Sequence, residues 1–207
     1  HAPRVIRRST WRRYLRIHDM ETIVRTMWQE RPKVVLSGHF GNFELASFLL
    51  GVFGFKTFSV ARELDNPLLN TFVNDFRESR GQQILPKKGS APDVAIAMEQ
   101  NGAIGLLGDQ AAGPKGCPVT FFGRRATMHK AIGVFALSAS APVLVFSTTR
   151  RNKLFQYDIR LEGVADPAVD APETEGLVSL SQWYTSLLER AVRRAPPQYW
   201  WVHRRWR

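Results

Sequence analysis

Short apolar runs that stop at polar turns, each followed by a helical pattern, recur along this chain of 207 residues. No other feature restricts the fold as much. Val34 to Leu36 is one such run; it stops at Ser37-Gly38, and a helical pattern starts near Asn42 and continues through Leu45, Phe48, Leu49 and Val52. Lys56 to Val60 is a second, leading through Asn66-Pro67 into a helix with Leu68, Leu69, Phe72, Val73 and Phe76. Gln83 to Pro86 reads as a short strand, and Ser90 as the N-cap of a helix that carries Val94, Ala97 and Met98 and ends at Asn101-Gly102. Ala103 to Leu107 is another buried strand, with Gly108-Asp109-Gln110 at its carboxyl end. A helix from His129 to Ser140, strands at Pro142 to Thr148 and Leu154 to Leu161, an acidic linker Asp166 to Glu175 and a helix Leu177 to Arg194 complete the series. Such alternation predicts an α/β fold, a mostly parallel central sheet flanked by helices.

Residues 4 to 31 read differently. Trp11, Tyr14, Leu15 and His18 recur at helical spacing, while Arg8, Arg12 and Arg16 make a basic face. This predicts one or two amphipathic helices, a basic lead-in over residues 1–32 ahead of a domain spanning 33–207. Such a face suits either solvent or an anionic bilayer. The whole chain carries 29 Lys and Arg against 18 acids, a net charge of +11. That excess implies a polyanionic partner: nucleic acid, an anionic membrane, a phosphorylated substrate or an acidic protein. One cysteine, Cys117, excludes an intrachain disulfide framework, and no apolar run approaches the roughly 20 residues of a membrane span. The five histidines show no paired ligand spacing, so no metal site is expected.

His39 and Glu44 sit at the first strand-to-helix turn, and Asp109 directly follows another strand. Ligands of α/β proteins bind beyond the carboxyl ends of strands, which groups these residues into one prospective site. An imidazole takes a proton near neutral pH, and a carboxylate on its other nitrogen fixes the tautomer and stabilises the imidazolium. No Gly-x-Ser-x-Gly is present, so a histidine base would act on a hydroxyl or water brought by a substrate. The backbone N–H groups of Gly41 and Asn42 at the helix start are candidates for stabilising an oxyanion. By spacing alone, His39 fits a structural histidine as well as a base.

The surrounding residues add a resemblance. Ser37 to Glu44, Ser-Gly-His-Phe-Gly-Asn-Phe-Glu, resembles the His-x4-Asp/Glu block of glycerolipid acyltransferases, and most of all the bacterial lipid A biosynthesis lauroyl/myristoyl acyltransferase family. Three further blocks follow in that family's order. These are Arg62 to Pro67, then Gly108-Asp109-Gln110 with Gly113 to Gly123 ending Phe-Phe-Gly, then Pro197 to Trp206. The resemblance covers about residues 33 to 207.

It implies a glycerolipid acyltransferase-like fold and transfer of an acyl chain from acyl carrier protein, or acyl-CoA, to a hydroxyl of a membrane glycolipid such as a lipid A precursor. His39 would be the base and Glu44 its orienting partner, with no cofactor beyond the acyl donor. Arg62 and Arg80 are candidates for gripping phosphate or phosphopantetheine, Asp109 for holding an arginine or the acceptor sugar, and Gln110 for a substrate contact. The tail suits a membrane belt, a nucleic-acid stacking surface or a phosphate clamp by Arg204 or Arg205. The implied partners are acyl carrier protein, the glycolipid and an anionic membrane, with no nucleic acid. The implied location is the cytoplasmic face of the bacterial inner membrane.

Members of this family usually carry an N-terminal membrane helix and more sequence before the histidine. Because this chain starts within a basic stretch and without methionine, an upstream segment is expected. Phe43 stands where tryptophan is common, and His129-Lys130 replaces small polar residues. The competing class is a basic, non-catalytic module that binds anionic lipid or nucleic acid and uses His39 structurally.

Overall fold

Strand β2 (Lys33–Ser37) shows how the apolar runs set the architecture. All five of its residues are buried. Successive side chains of a strand point to opposite faces. Val34 and Leu36 join one core cluster with Val143, Val145, Leu180 and Tyr184. Val35 joins another with Leu45, Phe48, Leu49 and Leu144. A strand apolar on both faces needs a cover on each, and helices supply both covers.

The structure is a computed structural model that describes residues 2–206. In chain order the elements are α1 (Ala2–Val5), β1 (Leu15–His18), α2 (Met20–Met27), β2, α3 (Glu44–Phe53), β3 (Thr57–Ala61), α4 (Pro67–Glu78), β4 (Gln83–Pro86), α5 (Ala91–Glu99) and β5 (Ala103–Leu107). Then follow β6 (Cys117–Phe121), β7 (Arg124–Met128), α6 (Lys130–Ser138), β8 (Val143–Arg150), β9 (Tyr157–Ala165) and α7 (Leu177–Arg194). Seven strands form one sheet in the order β1-β9-β8-β2-β5-β3-β4, while β6 and β7 make a separate hairpin. Only β8 and β9 run antiparallel within the large sheet; its other ladders are parallel. The predicted α/β class therefore holds.

Helices α5, α6 and α7 cover one face. On α7, Leu180, Tyr184, Leu187, Leu188 and Ala191 recur every three or four residues and are all buried. Burying an aliphatic side chain of this size contributes about 1.5–3 kcal/mol. Helices α2 and α3 cover the other face. Helix α4 lies at the margin: none of its residues is buried, and it attaches by stacking Phe76 on Phe48 with ring centroids 5.2 Å apart. Leu68, Leu69 and Phe72 remain exposed. Among the described residues no helix is long and apolar enough to cross a membrane.

Two expectations need correction. Residues 4 to 31 hold one amphipathic helix of the expected kind, α2, with Ile23 and Met27 buried, but the Trp11-to-His18 spacing is not helical, because Leu15–His18 pairs in parallel with Tyr157–Arg160 at the sheet edge. A backbone ladder offered by β9 outweighs a helical spacing only two turns long. Arg8, Arg12 and Arg16 all remain exposed, and Arg8 also reaches back to the core. Arg8 donates from Nε to the Val52 carbonyl (3.0 Å) and from Nη2 to that of Phe53 (2.7 Å), satisfying the C-terminal end of α3. Arg12 lies 4.5 Å from the Trp11 ring centroid. Second, β9 starts at Tyr157 and runs to Ala165, later and longer than the expected Leu154 to Leu161.

Candidate active site

The site begins with the register of two strands. In the parallel β2–β5 ladder Ser37 is paired with Leu107. His39 and Asp109 each lie two residues beyond that pair, so neighbouring strands deliver them side by side at their carboxyl ends. The contact is close. The His39 ring Nδ1 is 2.7 Å from Asp109 Oδ1, and the His39 backbone N–H donates to Oδ2 at 2.8 Å. A carboxylate accepts and does not donate, so Nδ1 carries the hydrogen, and in the neutral ring the lone pair lies on Nε2.

Two glycines make the approach feasible. A Cβ on Gly38 would lie 3.2 Å from the Asp109 carboxyl carbon. Gly41 has φ +56°, and a Cβ there would meet the Thr148 carbonyl oxygen at 1.8 Å. The Gly-His-Phe-Gly turn is thus the backbone shape that lets His39 face Asp109.

The tail straps this turn from outside. Phe40 and Tyr199 form an antiparallel bridge, the Gly41 N–H donates to the Gln198 carbonyl (2.8 Å) and the Trp200 N–H to that of His39 (3.0 Å). The His39 ring packs edge-on against Phe43 and Trp200, with centroids 5.1 and 5.8 Å away. Further along, His203 Nε2 accepts the Ala111 N–H at 2.9 Å, pinning the loop after Asp109. Burial lowers the pKa of His203, an effect that Arg205 and His39 reinforce and Asp109 opposes. The neutral acceptor form is the one this bond requires.

Asp109 is buried, as is Arg205. Arg205 donates to the Thr127 carbonyl at 2.7 Å and lies 2.9 Å from the Met128 sulfur, with no carboxylate within 4 Å among the described residues. Its charge acts on Asp109 through space. The Tyr199 phenol also neighbours Asp109, and burial, together with that carboxylate's negative charge, raises its pKa. It therefore stays protonated.

Several sequence expectations are corrected here. Glu44 does not orient His39. It starts α3, and Arg77 of α4 holds both its oxygens, Nε to Oε2 at 3.0 Å and Nη2 to Oε1 at 2.5 Å. Gly41 and Asn42 do not offer free N–H groups to an oxyanion, since these donate to the carbonyls of Gln198 and Thr148. Arg80 lies across α3 from His39, against Gly51, and donates to the Pro3 carbonyl. Arg204 is exposed on the tail, and Arg205 is a buried support for the dyad.

Arg62 and Gln110 do share a space with His39. A groove of about 670 Å³ is lined by these three, by Arg77, Lys87 and His129, and by apolar residues including Val60, Leu64, Leu107, Ile132 and Phe135. Sequence reasoning missed Tyr199 and His203 as members of the dyad's surroundings. It gave Asp109 an arginine or the acceptor sugar as partner, although its place two residues past a strand end matched that of His39.

A His–carboxylate pair at the strand ends of an α/β sheet opens on a groove that is part apolar and part cationic. The family described as "Bacterial lipid A biosynthesis acyltransferase" matches residues 4–207, and the chain belongs to it. Over 203 residues it is 22% identical to the lipid A biosynthesis palmitoleoyltransferase of Escherichia coli (strain K12), covering 96% of this chain and 63% of that protein. The lipid A biosynthesis acyltransferase of Shigella flexneri matches to the same extent. The chain thus spans about two thirds or less of these relatives' length, 63%. The crystal structure of the 1-acyl-sn-glycerophosphate acyltransferase PlsC from Thermotoga maritima is similar in fold, with a TM-score of 0.53 at 13% identity over 89% of this chain and 73% of that one.

Proposed function

We propose that this chain catalyses O-acyl transfer, moving a fatty acyl group from the thioester of acyl carrier protein or acyl-CoA to a hydroxyl of a membrane glycolipid such as a lipid A precursor. The observation that carries this reading is the His39–Asp109 pair, whose unprotonated Nε2 is left for the groove. The acceptor hydroxyl gives its proton to Nε2 as its oxygen attacks the thioester carbonyl. Asp109 stabilises the imidazolium. Collapse of the tetrahedral intermediate breaks the C–S bond, and the departing sulfur takes the proton back from Nε2. With Gly41 and Asn42 engaged elsewhere, the Gln110 side-chain amide is the donor best suited to the oxyanion. Arg62 on the groove rim suits a phosphate of either substrate.

The fold also supplies room for an acyl chain. A small pocket of about 70 Å³ under α3 shares Val60, Leu106 and Leu107 with the groove. It shares Val35 and Ala46 with an apolar cavity of about 390 Å³ lined by Leu49, Leu50, Phe146 and Ile159. A hydrocarbon chain extending from His39 would follow that line. The exposed Leu68, Leu69 and Phe72 of α4 suit contact with a membrane surface, in keeping with peripheral action at the cytoplasmic face of the inner membrane.

Incubation with acyl carrier protein bearing a labelled acyl chain and a lipid extract should label a glycolipid. His39→Ala should abolish this. Label transferred by His39→Ala as fast as by the parent would refute the mechanism. A salt-sensitive shift of DNA or RNA, with no transfer by the parent, would favour the basic binding module.

A further inference from the structure

The groove lining is unbalanced in charge. It holds Arg62, Arg77, Lys87 and the imidazoles of His39 and His129, and not one carboxylate. Arg62 and Arg77 have acidic partners outside the lining, Asp65 and Glu44. Lys87 and His129 have none within 4 Å among the described residues. Two helices start at the same wall: Gly89, Ser90 and Ala91 open α5, and His129, Ala131 and Ile132 open α6. Each helix has nine residues, and neither receives a side-chain cap. Their first-turn N–H groups and the positive ends of their dipoles are therefore directed at this wall. The first turn of α6 carries no acid; that of α5 carries Asp93, which is exposed and outside the lining.

Ser90 provides an independent sign. It is only 7% exposed, lines the groove, and makes no hydrogen bond to the helix it precedes. A hydroxyl that lines a groove and makes no bond to its own helix is free to donate to a ligand's acceptor atoms. His129 loses basicity to burial and to the positive charges of Lys87 and Arg205. The wall thus stores repulsion that an anion would relieve.

We propose that Lys87, His129 and the Ser90 hydroxyl, at the converging N-termini of α5 and α6, form a phosphate subsite that holds a phosphoryl group of a substrate while its reacting end lies at His39. This rests on the acyl-transfer reading for the identity of the substrate, not for the binding itself. Two substrates of that reaction carry such a group: a phosphorylated glycolipid headgroup and the phosphopantetheine arm of the donor. The shared chemistry is a phosphate ester held by charge-assisted hydrogen bonds and helix N-termini.

The test is calorimetric titration of the full chain with two pairs of probes: glucose 1-phosphate against glucose, and 4′-phosphopantetheine against pantetheine. The parent should bind at least one phosphorylated probe about 10-fold tighter than its unphosphorylated partner, and Lys87→Met/His129→Gln should remove that preference. The pair that responds identifies the source as headgroup or donor arm. Should the double variant melt early, Ser90→Ala serves in its place, with an expected loss of about 3-fold. The proposal is overturned by a parent with no preference for phosphate, or by well-folded variants that keep the parent's preference.

A variant outside the groove such as Trp28→Ala should keep the parent's preference for phosphate, and the Lys87→Met/His129→Gln variant should lose it whether or not acyl transfer is observed. A parent that transfers no acyl group yet shows the Lys87-dependent preference refutes the function and upholds the subsite. A parent that transfers but lacks the preference does the reverse.

Discussion

Two carboxylates, Glu44 and Asp109, were candidates to partner His39, and they behave differently. Glu44 is five residues away in sequence and belongs to an ion pair between α3 and α4. Asp109 is 70 residues away and takes both the ring and the backbone N–H of the histidine. The Asp109 side is built from two central strands in register, strapped by the tail and backed by buried Arg205. The Glu44 side opens toward α4, a helix with no buried residue. Strand register, not closeness along the chain, selected the partner of His39. Glu44 instead serves to dock α4, the element that carries the exposed apolar face beside the groove.

The sharpest way to break this contrast is to neutralise each carboxylate in turn. Asp109→Asn should reduce the rate of transfer from a labelled thioester donor by about 10³–10⁴-fold, the scale expected when a base loses its orienting carboxylate. Glu44→Gln should cost no more than about 10-fold, chiefly in KM. Equal losses would make the two carboxylates one functional unit.

The next largest effect is on folding. Gly41→Ala should destabilise the chain by at least about 3 kcal/mol in urea unfolding, because its Cβ meets the Thr148 carbonyl at 1.8 Å. Gly89→Ala, also at positive φ but with no atom within 4 Å of its Cβ, should lose only about 1 kcal/mol. Similar losses would remove the close backbone approach as the reason for glycine at position 41.

On the other side, Arg77→Met should lower stability by about 1–2 kcal/mol, since its ion pair with Glu44 is only partly buried. A larger loss would mean that α4 is anchored by more than Phe76 and this pair.

The smallest effect concerns pH. The folded pKa of His203 lies below its ordinary value of 6.5, so the unfolded chain binds the extra proton first as pH falls. Its contribution to stability is full above that value and is lost as pH drops toward the lowered folded pKa. His129 acts in the same direction. His203→Gln should therefore show a smaller fall in Tm between pH 7.5 and 5 than the parent does. An unchanged fall would locate the acid sensitivity elsewhere.

Much of the sheet was legible because β2, β3, β5 and β8 are apolar runs bounded by turns, and burial on two faces demands such runs. The hairpin was also legible but was passed over. Cys117, Val119 and Phe121 alternate with exposed Pro118 and Thr120, and Phe122-Gly123 turns the chain at positive φ. Strand β1 was not legible, since four residues at a sheet edge owe their conformation to β9. The same limit applied to the site. His39 and Asp109 both stood at strand ends, but only the adjacency of β2 and β5 makes them partners, and strand order is a tertiary fact. Arg80 and Arg205 show the converse: arginine type and number suggested substrate contacts, while burial and carbonyl partners made them structural.

Asp109, not Glu44, holds the His39 ring, and the tautomer of His39 reports on that contact directly. Long-range ¹H–¹⁵N spectra of histidine-labelled protein at neutral pH should show hydrogen on Nδ1 and an unprotonated Nε2 in the parent and in Glu44→Gln, with that tautomer lost in Asp109→Asn. A His39 tautomer that shifts in Glu44→Gln and persists in Asp109→Asn would contradict the account.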